Sequence, residues 1–261
     1  MDHQKKEVES KNTIVISESK ELVERVISEE DDRIVVLRIN RPEKANAYNY
    51  AILSCLENEL VKAIEDENIR VILITGAGNR SFCSGADKNE LVSRGAQEGL
   101  NLKGRNVFNF LAKSPKLTIA LINGAAVGGG LELALACDFR FSVPGAVFAL
   151  PEVSLGITPA AGGMRRLQPL IGKARAKEMI ILGRQLNVKE AFDFGLVTYV
   201  GDDYFDYGIN QAKKIVNTNQ LALQLAKKNM DAENDSVLEE LEKVTQALLY
   251  EMKIKKNELE K

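Results

Sequence analysis

The sequence predicts an α/β protein that ends in a helical region, and three observations lead to this fold class. Short apolar runs of buried-strand length alternate with amphipathic helical patterns over residues 13–200. Residues 201–261 carry helical patterns with no strand pattern between them. Residues 1–12 are polar and show neither pattern. The chain therefore divides into a disordered leader at 1–12, an α/β core at 13–200 and a helical C-terminal region at 201–261.

The predicted strands are short, rich in apolar and β-branched residues, and bounded by turn residues. Arg70–Thr75 and Leu117–Ile122 show no polar alternation, which is typical of parallel strands buried on both faces. Arg33–Ile39 is followed by Pro42, which begins a loop at 41–47. In order, the predicted strands are Thr13–Ile16, Val23–Ile27, Arg33–Ile39, Arg70–Thr75, Leu117–Ile122, Asp138–Ser142, Ala146–Leu150 and Leu196–Val200.

The predicted helices repeat apolar residues at helical spacing with charged residues between them. Ala51–Glu65 is the clearest example, because its apolar residues form one stripe opposite a charged face. Pro115 ends one predicted helix and Pro169 another, since proline cannot donate the next helical hydrogen bond. In order, the predicted helices are Ala51–Glu65, Leu100–Lys113, Leu131–Cys137, Met164–Gln168, Lys173–Leu182, Val188–Phe194, Phe205–Val216, Gln220–Lys228 and Ser236–Lys256.

Composition and charge argue against several classes of function. The 261 residues carry a net charge of −2, which gives no reason to expect a nucleic-acid or membrane partner. No apolar stretch reaches the ~20 residues that span a bilayer. The N-terminus is polar and lacks the apolar region of a signal peptide. We therefore expect a soluble, cytoplasmic protein.

The cysteines and the histidine narrow the chemistry further. Cys55, Cys83 and Cys137 have no close spacing, which argues against a disulfide framework and a zinc site. The only histidine is His3, in the polar leader, so no Cys–His or Ser–His pair is expected in the core. We therefore expect no metal site, and we do not expect Cys83 to act as a nucleophile.

The stretch Leu117–Glu152 carries the strongest functional signal. A buried strand is followed by a turn, three consecutive glycines (Gly128, Gly129 and Gly130) and an apolar helix. Such a helix start leaves unpaired N–H groups that favour an oxygen with negative charge. Ser81–Asp87 repeats the arrangement: a strand, small residues and a helix start with Asp87 as the expected N-cap. Close packing of backbone is the simpler role for each turn alone, but two such turns favour a binding site.

Two carboxylates lie in apolar surroundings beside these turns. Glu132 falls in the first turn of the predicted helix, flanked by leucine and alanine, and Glu152 follows Pro151 in another apolar segment. A carboxylate is costly to bury without partners or a function. Glu132 could also be a first-turn acid favoured by the helix dipole. The chain therefore offers two carboxylates in apolar surroundings and a candidate binding site for a negatively charged oxygen.

The glycine-rich turn is not a nucleotide site of a known pattern. Residues 124–130 read G-A-A-V-G-G-G, which does not match the dinucleotide pattern G-x-G-x-x-G, and no phosphate-loop Gly-Lys-Ser/Thr occurs. Two backbone donors aimed at one carbonyl oxygen would instead stabilise an enolate or a tetrahedral oxyanion.

Four ordered motifs resemble the crotonase, or enoyl-CoA hydratase/isomerase, superfamily, and among its members the chain is most similar to an enoyl-CoA hydratase. They are N-R-P-E-K-A-N-A at 40–47, F-C-S-G-A-D at 82–87, I-N-G-A-A-V-G-G-G-L-E-L-A-L-A-C-D-F-R at 122–140 and F-A-L-P-E-V-S-L-G-I-T-P-A-A-G-G-M-R-R-L at 148–167. The resemblance implies a spiral of ββα units with a C-terminal helical trimerisation region, assembled as a homotrimer or a dimer of trimers. It implies an acyl-CoA substrate and no cofactor.

The resemblance also assigns roles to residues. It implies an oxyanion hole formed by the N–H groups of Ala86 and Gly129, a water molecule deprotonated by Glu132, and a proton delivered to C2 by Glu152. The residues that it implies line the substrate pocket are Ala45, Ala47, Ala86, Asp87, Lys88, Asn89 and Gly129.

The sequence departs from the family pattern at three places. Asn89 stands where many hydratases have a lysine, Ala160 replaces a common glycine, and the C-terminal end differs from the usual tail. These departures leave open whether the thioester is on CoA or on a carrier protein. An isomerase or dehydratase remains an alternative, as does a non-catalytic protein that binds acyl thioesters.

Overall fold

The computed structural model describes residues 21–231 and 235–252, and the side chains of 235–239 are not described. The predicted leader at 1–12, the predicted strand Thr13–Ile16 and the end of the predicted helix Ser236–Lys256 lie outside the described residues. The predicted fold class is confirmed: the protein is a mixed α/β structure built around parallel sheets. The domain boundaries at 13–200 and 201–261 remain predictions.

The strands form two sheets. They are β1 Val23–Ile27, β2 Ile34–Ile39, β3 Val71–Gly76, β4 Ser81–Cys83, β5 Leu117–Ile122, β6 Ala125–Val127, β7 Phe139–Ser142, β8 Val147–Ala149, β9 Leu186–Asn187 and β10 Tyr199–Val200. The larger sheet has the order β1-β2-β3-β5-β7-β10, and the smaller has the order β4-β6-β8-β9. The β1–β2 and β8–β9 pairs are antiparallel, and the other assigned pairs are parallel.

The helices are α1 Tyr50–Glu65, α2 Lys88–Ser93, α3 Ala96–Leu100, α4 Lys103–Ala112, α5 Gly129–Leu135, α6 Gly163–Ile171, α7 Lys173–Ile181, α8 Val188–Asp193, α9 Tyr204–Val216, α10 Gln220–Met230 and α11 Asp235–Glu251. Three times in succession, the chain adds one strand to the large sheet and the next to the small sheet: β3 then β4, β5 then β6, β7 then β8. This alternation is the spiral that the resemblance implies, and it stacks the ends of β4, β6 and β8 side by side.

Both faces of the large sheet are buried, which explains the unbroken apolar runs. Along β3, Ile72 and Ile74 face one cluster, which includes Ile52 of α1. Val71 and Leu73 face a second cluster on the other side of the sheet, closed by Ile209 of α9. Alternate residues of a strand point to opposite faces, so a strand covered on both sides must be apolar at every position.

Two predicted helices differ from the structure. The helix predicted at Leu100–Lys113 is α4, which begins only at Lys103, because Leu100 is exposed and belongs to the end of α3, a helix that was not predicted. The helix predicted to stop at Gln168 continues through Pro169 to Ile171. Leu167 and Ile171 are buried on the same side, and their burial outweighs the one hydrogen bond that the proline cannot make.

Two strand predictions also need correction. Leu196–Val200 contributes only Tyr199–Val200 to the sheet, since Leu196 and Val197 are buried in the loop before it. Ala125–Val127 was predicted as part of a turn, but it forms β6 between β4 and β8. A three-residue strand flanked by glycine lies below the length at which periodicity identifies strands.

Candidate active site

The first turn predicted to bind an oxyanion, at 84–87, follows β4 and is hydrogen-bonded to the loop at 45–48, which follows β2. The Ser84 N–H donates to the Ala45 carbonyl at 3.1 Å, the Tyr48 N–H to the Gly85 carbonyl at 2.9 Å, and the Asp87 N–H to the Tyr48 carbonyl at 2.8 Å. These bonds bracket Ala86: the Gly85 carbonyl before it accepts a hydrogen bond, and the Asp87 N–H after it donates one. The predicted pocket segments at 45–47 and 86–89 therefore lie next to each other.

The loop at 45–48 is shaped by a buried asparagine. Ala45 and Asn46 adopt the left-handed conformation, with φ of 51° and 56°. The Asn46 side chain is fully buried and donates to the carbonyls of Ala77 and Ser81 at 2.9 and 2.7 Å. This pair of bonds offsets the local strain and fixes Ala47 and Tyr48 against the turn after β4.

Asp87 is occupied within the protein. Its carboxylate caps α2 by accepting the Asn89 N–H at 2.9 Å, as predicted, and it pairs with Arg41 at 2.7 Å. The Asn89 N–H and then Arg41 hold the pKa of Asp87 below its usual value. Lys88 and Asn89 are exposed in the first turn of α2. The carboxylate of Asp87 thus orders the pocket rim, while the two residues after it face solvent.

The second turn predicted to bind an oxyanion is Gly128–Gly130 at the start of α5. Its glycines pack against the backbone at Cys83 and Gly85 in and after β4. A Cβ placed on Gly85 would lie 3.1 Å from the Gly129 nitrogen, and one on Gly130 would lie 1.9 Å from the Cys83 carbonyl oxygen. Only glycine permits such close approach. Within the described part of the chain, neither the Ala86 N–H nor the Gly129 N–H donates a hydrogen bond. The N–H groups of Ala86 and Gly129 are therefore both unused where the two turns meet.

Glu132 lies in the first turn of α5, as predicted, and is 3% exposed. Its Oε1 accepts two hydrogen bonds of 2.8 Å, from the N–H groups of Ala161 and Gly163. Burial raises the pKa of Glu132, and these two donors oppose the shift, as do Arg166 and Arg105 at longer range. The loop before α6 therefore stabilises the charged form of a buried carboxylate.

Glu152 begins a 3₁₀ turn, Glu152–Leu155, that follows β8. The Gly128 N–H donates to the Ala149 carbonyl at 2.8 Å, which brings the end of β8 beside the start of α5. Glu152 is 7% exposed, and its Oε2 has no hydrogen-bond partner among the described residues. Burial raises the pKa of Glu152 to about 7, and the charge of Glu132 adds to the rise.

Tyr48 is a residue of this site that the sequence analysis missed. Its hydroxyl lies against Gly129: a Cβ built on that glycine would be 2.0 Å from the oxygen. Its ring packs edge-to-face on Phe108 with centroids 5.7 Å apart. Burial, and then the neighbouring Cys83 and Glu132, raise the pKa of Tyr48, so the hydroxyl stays protonated. The available signal was its place directly after the motif at 40–47 that carries the family resemblance.

Other candidate chemistry is not supported by the described residues. Cys83 is a buried free thiol, and burial raises its pKa to about 12, so it is not a thiolate nucleophile. No group of three or more His, Cys, Asp and Glu side chains within the described ranges could hold a metal ion. No helix in the same ranges is long and apolar enough to cross a bilayer.

The arrangement can move two protons beside a polarised carbonyl. Two backbone donors without partners meet at the ends of β4 and β6, near Glu132, which accepts two hydrogen bonds, and Glu152, whose Oε2 has no partner among the described residues. Hydrogen bonds lower the pKa of Glu132 against the effect of burial, while burial raises the pKa of Glu152 to about 7, and such unequal surroundings are how one site can hold a base and an acid.

The sequence and structure match known proteins over most of their length. The sequence profile of the family described as Enoyl-CoA hydratase/isomerase matches residues 29–260. The crotonyl-CoA hydratase of Syntrophomonas wolfei is 37% identical over 208 residues, which cover 78% of this chain and 80% of that protein. The short-chain-enoyl-CoA hydratase of Clostridium acetobutylicum is 36% identical over 206 residues, covering 77% and 79%.

Solved structures match equally well. The crystal structure of an enoyl-CoA hydratase from Bacillus anthracis superimposes with a TM-score of 0.82 at 32% identity, covering 91% of this chain and 97% of that one. The enoyl-CoA hydratase of Thermoplasma volcanium gives a TM-score of 0.81 at 34% identity, covering 88% and 92%.

Proposed function

The chain belongs to the enoyl-CoA hydratase/isomerase family and is an enzyme of the enoyl-CoA hydratase type, a hydro-lyase of CoA-linked fatty acid metabolism, and from that premise we propose how its residues add water to a 2-enoyl thioester. The observation that carries the proposal is the unequal hydrogen bonding of two neighbouring buried carboxyls. Glu132 accepts two N–H groups, whereas one oxygen of Glu152 has no partner.

In the proposed reaction, the thioester oxygen lies between the N–H groups of Ala86 and Gly129. Glu132 removes a proton from water as the water oxygen bonds to C3. The electron pair of the C2–C3 double bond moves toward the thioester oxygen, where the two donors stabilise the enolate. Glu152 then gives its proton to C2, and exchange with solvent returns the two carboxyls to their starting states.

The substrate pocket of this proposal uses the segments that the fold brings together. Ala45 and Ala47 line one side of the cleft, and the first turn of α2, with Lys88 and Asn89, lines the other. Exposed Lys88 supplies a positive charge for a CoA phosphate. No further cofactor takes part in this scheme, because both protons and the oxyanion are handled by protein groups.

The proposal is tested with crotonyl-CoA, whose conjugated enoyl thioester absorbs in the ultraviolet. The wild type should remove this absorbance, and both Glu132→Gln and Glu152→Gln should be slower by about 10²–10⁴-fold, the usual contribution of a positioned acid or base. Glu29→Gln, at an exposed glutamate away from the site, is the matched control and should retain full activity. Full activity in either site variant rejects its role, and binding without any absorbance change rejects catalysis.

We also propose that α10 and α11 pack against other subunits in a homotrimer or a dimer of trimers. Both helices expose large apolar side chains, of which Met230 is 85% and Val244 63% exposed. The last turn of α10 is held to the core by the ion pair of Lys227 and Asp138 at 2.7 Å. Sedimentation equilibrium should give a multiple of three chains, and a monomer at micromolar concentration would contradict this assembly. A cytoplasmic location remains part of the proposal.

A further inference from the structure

The loop that holds Glu132 is itself held from behind by two arginines. Arg105 of α4 donates from Nε to the Ala160 carbonyl oxygen at 2.9 Å, and Arg166 of α6 donates from Nη1 to the Ala161 carbonyl oxygen at 3.0 Å. The carbonyls of the loop thus face two cations, while two of its N–H groups face the carboxylate. The loop is therefore oriented with the positive ends of its amides toward Glu132.

One amide connects Arg105 to Glu132 directly. The Ala160 carbonyl and the Ala161 N–H belong to the same planar peptide group, so the guanidinium bonds one end and the carboxylate the other. Hydrogen bonds in such a chain polarise and strengthen one another where the dielectric is low. We propose that Arg105 is a positioning residue that fixes and polarises this peptide so that Glu132 is kept charged and aimed at the water.

Arg166 has a different connection. It bonds the next carbonyl, that of Ala161, whose own peptide N–H belongs to Gly162 and does not contact Glu132. Its Nη2 is also bonded to the Asn109 side chain at 2.7 Å, so it joins α6 to α4. Among the described residues, Arg105 is thus the cation linked to Glu132 through a single peptide group.

Among the described residues, charged or titratable side chains from several elements interact with Glu132. Arg105 in α4 and Arg166 in α6 favour its charged form, whereas Glu152 after β8 and Tyr48 in the loop after β2 are coupled to it as acids. Burial raises the pKa of Glu132, and the two backbone donors and the two arginines oppose that rise. Loss of Arg105 removes one of the two opposing cations and the fixed donor together, so the pKa should rise further.

The inference rests on the proposed function, and the experiment separates the two. Arg105→Gln should move the acid limb of the kcat profile for crotonyl-CoA hydration upward by about one pH unit and leave KM within about twofold. Arg105→Lys, which retains a cationic donor, should recover most of the shift. Arg184→Gln, which removes a surface arginine paired with Glu178 and Glu190, is the control and should match the wild type.

Circular dichroism first shows which variants fold. If Arg105→Gln does not fold, Arg105→Met, which keeps an unbranched apolar stem, decides by the same measurement. An unmoved acid limb in a folded variant lacking the guanidinium overturns the role of Arg105. If Glu132→Gln is fully active, the proposed function fails instead; if Glu132→Gln is inactive while Arg105→Gln keeps the wild-type profile, only the inference about Arg105 fails.

Discussion

Glu132 and Glu152 are both buried and interact electrostatically, yet the protein surrounds them differently. Glu132 is reached by two backbone donors from a loop backed by two arginines, whereas Glu152 follows a strand end and keeps one oxygen without a partner. Both pKa values are raised by burial, but only that of Glu132 is pulled back by hydrogen bonds from a neighbouring loop. Burial therefore raises the pKa of both carboxyls, and the backbone amides of the loop before α6 favour the charged form of Glu132 alone.

Shortening the carboxylate that has partners should give the largest effect. Glu132→Asp retracts the group by one methylene, so it cannot reach the N–H groups of Ala161 and Gly163 together. We expect kcat for crotonyl-CoA hydration to fall by about 10²–10³-fold, because small displacements at a reacting centre cost this much. Stopped-flow absorbance measures it, with Glu29→Asp as the control, and a loss below threefold would show that the two donors are not needed.

The second-largest effect should be on stability, when Glu152 is replaced by a residue that cannot ionise. The pKa of Glu152 is raised from 4.5 to about 7, so the native state binds more protons than the unfolded chain, and stability falls as the pH rises through this window. The shift corresponds to about 3 kcal/mol between pH 4.5 and pH 7. Glu152→Gln cannot ionise and should lose this part of the pH dependence.

Urea unfolding at pH 5 and pH 8 measures this difference. The wild type should lose more free energy of unfolding between the two pH values than Glu152→Gln does. Glu29→Gln should follow the wild type, since its carboxyl is exposed. Equal pH dependence in wild type and Glu152→Gln would show that Glu152 is not held neutral.

The pH profile of the hydration rate should have one limb from each glutamate, and its changes should be smaller than the effects above. Hydration needs Glu152 protonated, so its rate should fall about tenfold per pH unit above an apparent pKa of about 7. The acid limb belongs to Glu132, which must be charged, and lies above its ordinary value of 4.5. Dehydration of a 3-hydroxyacyl-CoA needs the same single proton shared by the two carboxyls and releases no net proton, so its kcat/KM should show the same two limbs. If Glu152→Gln keeps the alkaline limb of the wild type, that limb belongs to another group and not to Glu152.

Tyr48→Phe should have the smallest effect on stability. No described residue accepts a hydrogen bond from the Tyr48 hydroxyl, and phenylalanine keeps the ring contact with Phe108. Stability should therefore change by less than about 0.5 kcal/mol, since no bond is lost. Denaturant unfolding gives the value, and a loss above ~1.5 kcal/mol would show that the hydroxyl has a partner after all.

The positions of both glutamates could be predicted from the sequence, but the contacts that make their surroundings different could not. Leu117–Ile122 matches its strand residue for residue, and Glu132 lies in the first helical turn as expected, because local periodicity determines both. The position of Glu152 followed from a motif. Arg105, Tyr48 and the pairing of β6 depend on contacts between segments that are distant along the chain, and no local pattern reports them. Pro169 was misjudged for the same reason, since tertiary burial overrode its local preference.

The pairing of β4 with β6 has a consequence for biosynthesis. Ser81 is aligned with Ala125 in the small sheet, although the residues between them form α2, α3, α4 and β5. A nascent chain released before Gly129 would carry only one of the two amides that we propose face the substrate oxygen. Recovery of enzymatic turnover during refolding should therefore report the joining of these two strands, and it should lag behind any signal that arises from local helix formation.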